Sequence, residues 1–351
     1  MKNVRVYKLM VIGVLCFMML TGNLAPAGVQ ASSESTGSGL SVTKLEALNP
    51  ITLQVTFSAP LPAEDVQLDR AKANFVFDQG LAIRNIPQLK TGATATYIVP
   101  TTVQTPGAAY TLKYKEQPPV SFTGNGNKLP LRSARQVSYD TFEVESSLED
   151  GVTDYANIVQ ADIERQGALA FALDEQNQYQ GKTYQIISSL RDSTLTLTPE
   201  KGQPIQATYV PYTQATDGRQ APKYRLPEGQ ELKPGVNYTV SSDWATIQSP
   251  AFTAAKTKPL HIKSVKAVND STLEVTLDKD PKDELFASRS LQLTAPDGAV
   301  LTAQYKVLSR KGPVGTFELQ KGGKLLPGVS YTVKPVGKWA KVKGNKLTVK
   351  L

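Results

Sequence analysis

Cysteine and histidine are nearly absent from this chain of 351 residues, and that scarcity excludes several kinds of chemistry. Cys16 is the only cysteine and His261 the only histidine. A disulfide framework and a zinc site built from thiolates both need more cysteines than the chain has. A Ser-His-Asp triad would have to use His261, and no nucleophile-elbow, zinc-protease or phosphate-loop motif accompanies it. The sequence therefore predicts a protein that is not an enzyme and has no cofactor.

Long apolar runs are also scarce, and the one at the N-terminus has the features of a signal peptide. Positive residues precede Leu9–Leu20, a nearly unbroken apolar run of 12 residues that is too short to span a bilayer comfortably. Small residues at Val29 and Ala31 suit cleavage after Ala31. A lipid anchor on Cys16 is the alternative, although Leu15 stands where a small residue is wanted.

Export sets the compartment in which the rest of the chain acts. We expect residues 1–31 to be a signal peptide, residues 32–39 a flexible segment, and the mature chain to have no transmembrane anchor. A cysteine-free exported protein is typical of a bacterial cell surface. The predicted location is therefore secreted, either extracellular or associated with the cell wall.

Two stretches of the sequence repeat one strand-turn-strand pattern. Residues 42–57 read VTKLEALNPITLQVTF and residues 262–277 read IKSVKAVNDSTLEVTL, with apolar positions aligned at a constant offset of 220. A fainter copy lies between them, in residues 131–144. Its positions precede those of the last copy, residues 262–277, by 131. Alternation of apolar and polar residues predicts half-buried strands, and Asn-Pro or Asn-Asp marks the turn between them.

A second signature, P-G-x-x-Y-T, closes each copy. It contains Tyr110, Tyr238 and Tyr331, and it suits a tyrosine corner in which the phenol reaches back to a loop carbonyl. The first Thr of the copy and this Tyr are separated by 58 residues in the first copy, 59 in the third and 97 in the middle one. The middle copy therefore carries an insertion of about 38 residues near 146–190, with helical spacing from Val152 to Ile163.

Together these patterns predict an all-β fold of three tandem immunoglobulin-like β-sandwiches. We place them at residues 40–124, 128–254 and 259–351, with a short helix in the insertion of the middle one. The two tryptophans, Trp244 and Trp339, follow the closing tyrosines at similar distances. Their recurrence favours packing over a carbohydrate-stacking platform.

The V-x-x-V-x-A-x-N-x-x-T-L-x-V-T-F opening and the late G-x-x-Y-T strand resemble the Ig-like domains of bacterial S-layer and S-layer-associated surface proteins. The resemblance covers most of residues 40–351. It implies a structural or adhesive role at the cell surface. Similar modules are appended to some secreted glycan-degrading enzymes, and the S-layer-homology repeats that grip cell-wall polymers are missing from this chain. Such motifs specify fold better than function.

Charge is distributed unevenly along the chain. Residues 134–254 hold 9 basic and 16 acidic residues, a formal charge of −7, whereas residues 255–351 hold 18 basic and 8 acidic residues, a charge of +10. We predict that the last copy binds an anionic cell-wall polymer, or a neighbouring surface protein, and that nucleic acid is not a partner. The proposed binding residues are Lys338, Lys341, Lys343, Lys346 and Lys350. A merely solubilising basic face is the alternative.

An acidic cluster in the third copy has two interpretations. Asp278, Asp280, Asp283 and Glu284 crowd one turn and could supply hard oxygen ligands to calcium, although their spacing matches no EF-hand loop. Solvated surface acids are the other interpretation. For the whole chain, the leading functional hypothesis is a non-catalytic surface protein retained at the wall. The alternative is a glycan-binding accessory protein that acts beside extracellular hydrolases.

Overall fold

The computed structural model describes residues 39–146, 148–156, 158–159, 172–211, 220–281, 286–342 and 347–351. The predicted signal peptide, 1–31, lies outside these residues. Within them the chain is almost entirely β-structure, as the alternating pattern predicted, and Gly39–Leu351 forms one compact unit. Three stretches, called here the N-terminal (40–124), middle (128–254) and C-terminal (259–351) segments, each hold their own sheets. In the described part, no helix is long and apolar enough to cross a bilayer.

The N-terminal segment packs two small sheets against each other. Strand order is β1-β2-β5-β4 in one sheet and β3-β6-β7 in the other. The core between them contains Leu53, Val55, Phe57 and Tyr97, with Phe75 and Tyr114 edge-on to Phe57. Its elements are β1 Val42–Asn49, β2 Thr52–Phe57, α1 Leu68–Asn74, β3 Phe75–Phe77, β4 Gln88–Leu89, β5 Thr96–Pro100, β6 Ala109–Tyr114 and β7 Val120–Thr123.

The middle segment forms an eight-stranded sheet system in the order β18-β8-β9-β16-β15-β14-β17-β19, with the pair β18–β8 parallel. Two short pairs, β10–β13 and β11–β12, lie in its insertion. Its strands are β8 Leu129–Gln136, β9 Thr141–Val144, β10 Val152–Asp154, β11 Gln178–Tyr179, β12 Lys182–Thr183, β13 Gln185–Ile187, β14 Thr194–Pro199, β15 Ile205–Tyr209, β16 Lys223–Arg225, β17 Asn237–Ser241, β18 Ala245–Ser249 and β19 Ala251–Thr253.

The helix predicted in the insertion starts after Val152, the residue at which the spacing of apolar residues predicted its beginning. Val152 lies in strand β10, which pairs in parallel with β13, and its side chain belongs to the core of the middle segment. Helical structure covers residues 155–156 and 158–159, and Ile163 lies outside the described residues. Because Val152 and Tyr155 serve two different cores, their spacing imitates a single helical face.

The C-terminal segment repeats the eight-strand arrangement of the middle one. The order is β26-β20-β21-β24-β23-β22-β25-β27, again with a parallel pair, β20–β26, at one end. Its strands are β20 Leu260–Ala267, β21 Thr272–Leu277, β22 Ser290–Thr294, β23 Val300–Tyr305, β24 Val314–Leu319, β25 Ser330–Pro335, β26 Ala340–Val342 and β27 Leu347–Lys350. A separate apolar core, centred on Phe286, Phe317 and Trp339, fills it.

The first two strands of the N-terminal and C-terminal segments pair in the same register. Val42 lies opposite Phe57 and Leu45 opposite Val55, and the residues 220 positions later form the equivalent pairs. Both ladders also carry a register shift in the same place, after Val42 and after Ile262. The offset seen in the sequence therefore corresponds to equivalent positions in space.

Candidate functional site

The three tyrosines of the P-G-x-x-Y-T signature make the same contact in each segment. Their rings are buried, and each hydroxyl oxygen accepts a hydrogen bond from the backbone N–H five residues earlier. The distances are 2.9 Å for Thr105 to Tyr110, 2.9 Å for Lys233 to Tyr238 and 3.0 Å for Leu326 to Tyr331. The phenol therefore bonds a loop N–H, and the expectation of a loop carbonyl as its partner was wrong.

The Pro-Gly pair before each tyrosine forms a tight turn. The carbonyl of Leu326 accepts the N–H of Val329, and Gly328 between them has a φ of +80°. Gly107 and Gly235 occupy the same position with φ of +74° and +83°. Glycine is needed here because a side chain disfavours this left-handed conformation. The turn and the tyrosine form one structural device, used three times.

Both tryptophans are structural. Trp244 is 2% exposed and Trp339 is 3% exposed, and each indole N–H donates to a strand carbonyl, of Thr194 and Ser290 respectively. Trp339 also stacks on Phe317. Neither ring is available to a sugar, so packing is the correct interpretation of their recurrence.

The predicted anion-binding lysines occupy two places. Lys338, in the loop after β25, and Lys341, in β26, are exposed and border the same groove beside Pro259. Lys350 pairs with Ser330 at the opposite end of β25. The two ends of β25 are five residue steps apart, or about 17 Å. That distance is about twice the Debye length at physiological salt, so the charge of Lys350 is largely screened from those at the other end. Lys343 and Lys346 lie outside the described residues.

The acidic turn of the C-terminal segment is only partly described, and its two described carboxylates already have partners. Asp278 accepts the backbone N–H of His261 at 3.2 Å and lies 3.4 Å from its imidazole. Asp280 pairs with Arg310 at 2.8 Å. Asp283 and Glu284 fall outside the described residues. Within the described ranges, no group of three His, Cys, Asp or Glu residues is placed to share a metal ion.

The insertion of the middle segment packs against the N-terminal segment through a small apolar core. Tyr155, Ile158, Leu173 and Ile186 of the insertion surround Ile98 of β5, and all five side chains are buried. As a result β2 is buried on both faces, so that its Thr52 and Gln54 are 0% and 3% exposed. At the matching positions of β21, Thr272 and Glu274 are half-buried.

Polar groups of β2 and of the turn before it are satisfied across this junction. Asn49 donates to the carbonyl of Ile186 at 2.8 Å, and Thr52 bonds Ser188 at 2.9 Å. Lys90, 2% exposed, donates to Gln54 at 2.7 Å. Burial lowers the pKa of Lys90 to about 8, although the charges of Asp174 and other nearby carboxylates act in the opposite direction.

An ion pair fixes the junction between the middle and C-terminal segments. Arg289 makes two hydrogen bonds to Asp140, at 2.7 and 2.8 Å, and the two side chains are 8% and 7% exposed. Arg225 bonds the carbonyl of Ala287 at 2.6 Å. The guanidinium of Arg289 also lies over the ring of Tyr139, 5.7 Å from its centroid. The planar guanidinium of Arg289, which bonds both oxygens of one carboxylate, gives this contact geometric specificity.

Burial and neighbouring charges shift the pKa values of Asp140 and Arg225. Burial raises the pKa of Asp140, but the hydrogen bonds and charge of Arg289 outweigh it, and the pKa falls to about 2. Burial lowers the pKa of Arg225 to about 9, and the positive charge of Arg289 adds to that effect. The carboxylate of Asp140 is therefore ionised throughout the physiological range.

Comparisons with known proteins give little further guidance. No family model matches the sequence, and no curated protein matches it. The similar solved structures include that of the surface layer protein SbsC, domains 1-6, and that of the S-layer protein rSbsC(31-844). Each is 14% identical with a TM-score of 0.20, and each alignment covers 88% of this chain. The chain spans about half of their length, 53% and 54%. A TM-score of 0.20 carries no conclusion about function.

Sequence reasoning missed both junctions. Asp140 and Arg289 are far apart in sequence and follow no motif, and Lys90 is one of many lysines. One signal was present for the first junction: the long insertion of the middle segment had to pack somewhere. Its docking on β2 follows from the three-dimensional arrangement and from no pattern in the sequence.

Proposed function

We propose that this protein is a non-catalytic, secreted cell-surface protein with a structural or adhesive role, retained at an anionic cell wall through its basic C-terminal segment. The observation that carries the proposal is the +10 formal charge of residues 255–351 beside the −7 of residues 134–254. Teichoic acid or another acidic wall polymer is the matching partner, because a polyanion attracts a surface of opposite charge.

The rigid connection of the segments supports a structural role. We infer that the three segments are copies of one sandwich fold, supported by the shared register of β1–β2 and β20–β21. Buried contacts join each copy to the next, through Ile98 at one junction and Asp140 at the other. Such buried contacts restrict the motion of one copy relative to the next, which suits a spacer or scaffold at a surface.

Co-sedimentation with purified cell walls tests the proposal. The full mature chain is expected to pellet with walls that carry an anionic polymer, and to stay in solution with walls stripped of it. Equal pelleting with both preparations would contradict retention through the polymer. Binding to a neutral polysaccharide that persists at high salt would favour a glycan-binding accessory protein, the alternative that also fits an exported chain without catalytic residues.

The opposed charges of neighbouring segments favour a second partner, another copy of the protein. The C-terminal segment of one molecule could dock on the acidic middle segment of the next, a head-to-tail contact that need not close. Sedimentation velocity at low salt distinguishes this version, since it requires assembly in the absence of any wall material.

A further inference from the structure

A groove of about 740 Å³ runs along the junction between the middle and C-terminal segments. One wall comes from the middle segment and includes Tyr139 and Glu231. The floor is the connecting stretch around Pro259, and the other wall comes from the C-terminal segment. Clefts between packed sandwiches are favoured places for ligands, because both sides can contribute groups to one site.

The groove is rich in lysines that form no ion pair with any residue in the described part of the chain. Its acidic residues are already engaged, Glu231 with Lys338 at 2.9 Å and Asp280 with Arg310 at 2.8 Å. Arg289 is engaged with Asp140. Among the described residues, no carboxylate pairs with the four remaining lysines of the lining, and all four are exposed. They are Lys256, Lys258, Lys279 and Lys341.

The shape of this site is fixed before any ligand binds. The pair of Asp140 and Arg289 joins the two walls, and the hydroxyl of Tyr139 accepts the backbone N–H of Lys338 at 3.2 Å. Four ammonium groups held around one concave surface repel one another. An anion that lies among them relieves that repulsion, so a preorganised groove gains more from an anion than the same charges on a flexible loop.

We propose that this groove is the anion-binding site, an inference that rests on the proposed function. Its ligand is a segment of a linear polyanion with repeated phosphate or carboxylate groups. Lys256, Lys258, Lys279 and Lys341 contact the charged groups of the ligand. Three of these lysines were not among the sequence-predicted residues. Lys350, at the far end of β25, is outside the site. A lysine ammonium contributes a point charge and not a planar fork, which suits either anion.

Binding of two defined polymers tests the assignment. Inorganic polyphosphate represents the phosphodiester source, polygalacturonate represents the carboxylate source, and dextran is the uncharged reference. Removing two groove charges, in the variant Lys279→Gln with Lys341→Gln, is expected to raise the Kd for the preferred polymer about tenfold at low salt. The ratio of the two Kd values identifies the anion.

The matched control removes two lysines of the same segment that do not line the groove, Lys263→Gln with Lys266→Gln. Both are exposed residues of β20, and the change in net charge is the same. This variant is expected to bind within about twofold of the parent protein. Because all four substitutions are at exposed positions, the Tm of both variants should match that of the parent.

Two results would overturn the groove assignment. An equal loss of polymer binding in the two variants would mean that net charge alone acts, and unchanged binding in the groove variant would place the site elsewhere. Either result leaves the proposed function standing if the parent chain still pellets with polymer-bearing walls. If the parent chain binds neither the polymer-bearing walls nor either of the two polymers, the proposed function itself is wrong.

Discussion

At the scale of single residues, one buried hydroxyl recurs where each closing strand begins. The oxygen of Tyr110, Tyr238 or Tyr331 accepts a loop N–H that has no strand partner. The signature was visible in the sequence because the turn demands Pro-Gly and the bond demands Tyr at a fixed spacing. The identity of the donor was not visible, since the same spacing suits a carbonyl or an N–H.

Replacing Tyr331 with Phe should therefore lower the free energy of unfolding by about 1 kcal/mol, because the N–H of Leu326 loses its acceptor in a partly buried site. Denaturant titration measures the change. Ser330→Ala, which removes a hydroxyl at an exposed position of the same strand, is the control and should shift stability by less than about 0.5 kcal/mol. A Tyr331→Phe protein as stable as the parent would show that the bond contributes nothing.

Lys90 gives the N-terminal junction a dependence on pH. Its folded-state pKa of about 8 lies below the value of about 10.4 expected in the unfolded chain. Between these values the unfolded chain binds more protons, so stability rises with pH. Relative to Lys90→Met, the parent protein should gain up to about 3 kcal/mol between pH 8 and pH 10.5. A difference between the two proteins that is the same at pH 7 and at pH 10.5 would contradict the buried, charged Lys90.

At the scale of elements, the turn between the first two strands of a segment is the contact point with the next segment. Ile51 of the first turn is 4% exposed and joins the core of the middle segment. Asp140, in the matching turn, bonds Arg289 of the C-terminal segment. Equivalent turn residues thus form both junctions: Ile51 packs against an apolar core, and Asp140 forms an ion pair. Ser271, the matching residue of the third turn, is half-buried, and its hydroxyl bonds Asn269 of its own turn.

The strands themselves were largely predictable from the sequence, whereas their surroundings were not. Alternation in residues 52–57 and 272–277 predicted half-buried strands, and β21 follows that pattern. β2 departs from it, because the insertion covers its outer face and buries Gln54. Periodicity reports which side of a strand faces its own core. It carries no information about a second segment that packs on the other side.

Breaking the ion pair at the second junction should be costly. Asp140→Asn leaves the buried guanidinium of Arg289 without its counter-charge and should destabilise the protein by about 3–5 kcal/mol. Glu231→Gln, which removes the exposed partner of Lys338, is the control and should cost less than about 1 kcal/mol. Adding Arg289→Met to Asp140→Asn should recover part of the loss, since the guanidinium that bonded the carboxylate is then removed as well, and only Arg225, 4.0 Å from Asp140, keeps a buried charge.

The same pair sets an acid limit. The pKa of Asp140 is about 2 when folded and about 3.9 when unfolded, so its contribution is complete above about pH 4 and is lost as pH falls through 2. The stability difference between the parent and Asp140→Asn should therefore shrink below pH 4. A difference that is unchanged from pH 7 to pH 2.5 would show that the carboxylate does not carry the contact.

At the scale of the whole molecule, charge and rigidity act together. The middle and C-terminal segments carry opposite net charges, and buried contacts at both junctions join each segment to the next. Charge and repeat pattern could be counted in the sequence. The site could not, because its lysines come from the connecting stretch, from the loop after β21 and from β26, and only the fold brings Lys256, Lys279 and Lys341 to one groove.

Retention at an anionic surface is tested most directly by the salt dependence of wall binding. The fraction of the full mature chain bound to polymer-bearing walls is measured as NaCl rises from about 0.05 to 1 M, over which the Debye length falls to about 3 Å. Because exposed lysines act on a polyanion, binding should fall steeply and be lost well before the highest salt. A bound fraction that stays level over this range would contradict electrostatic retention.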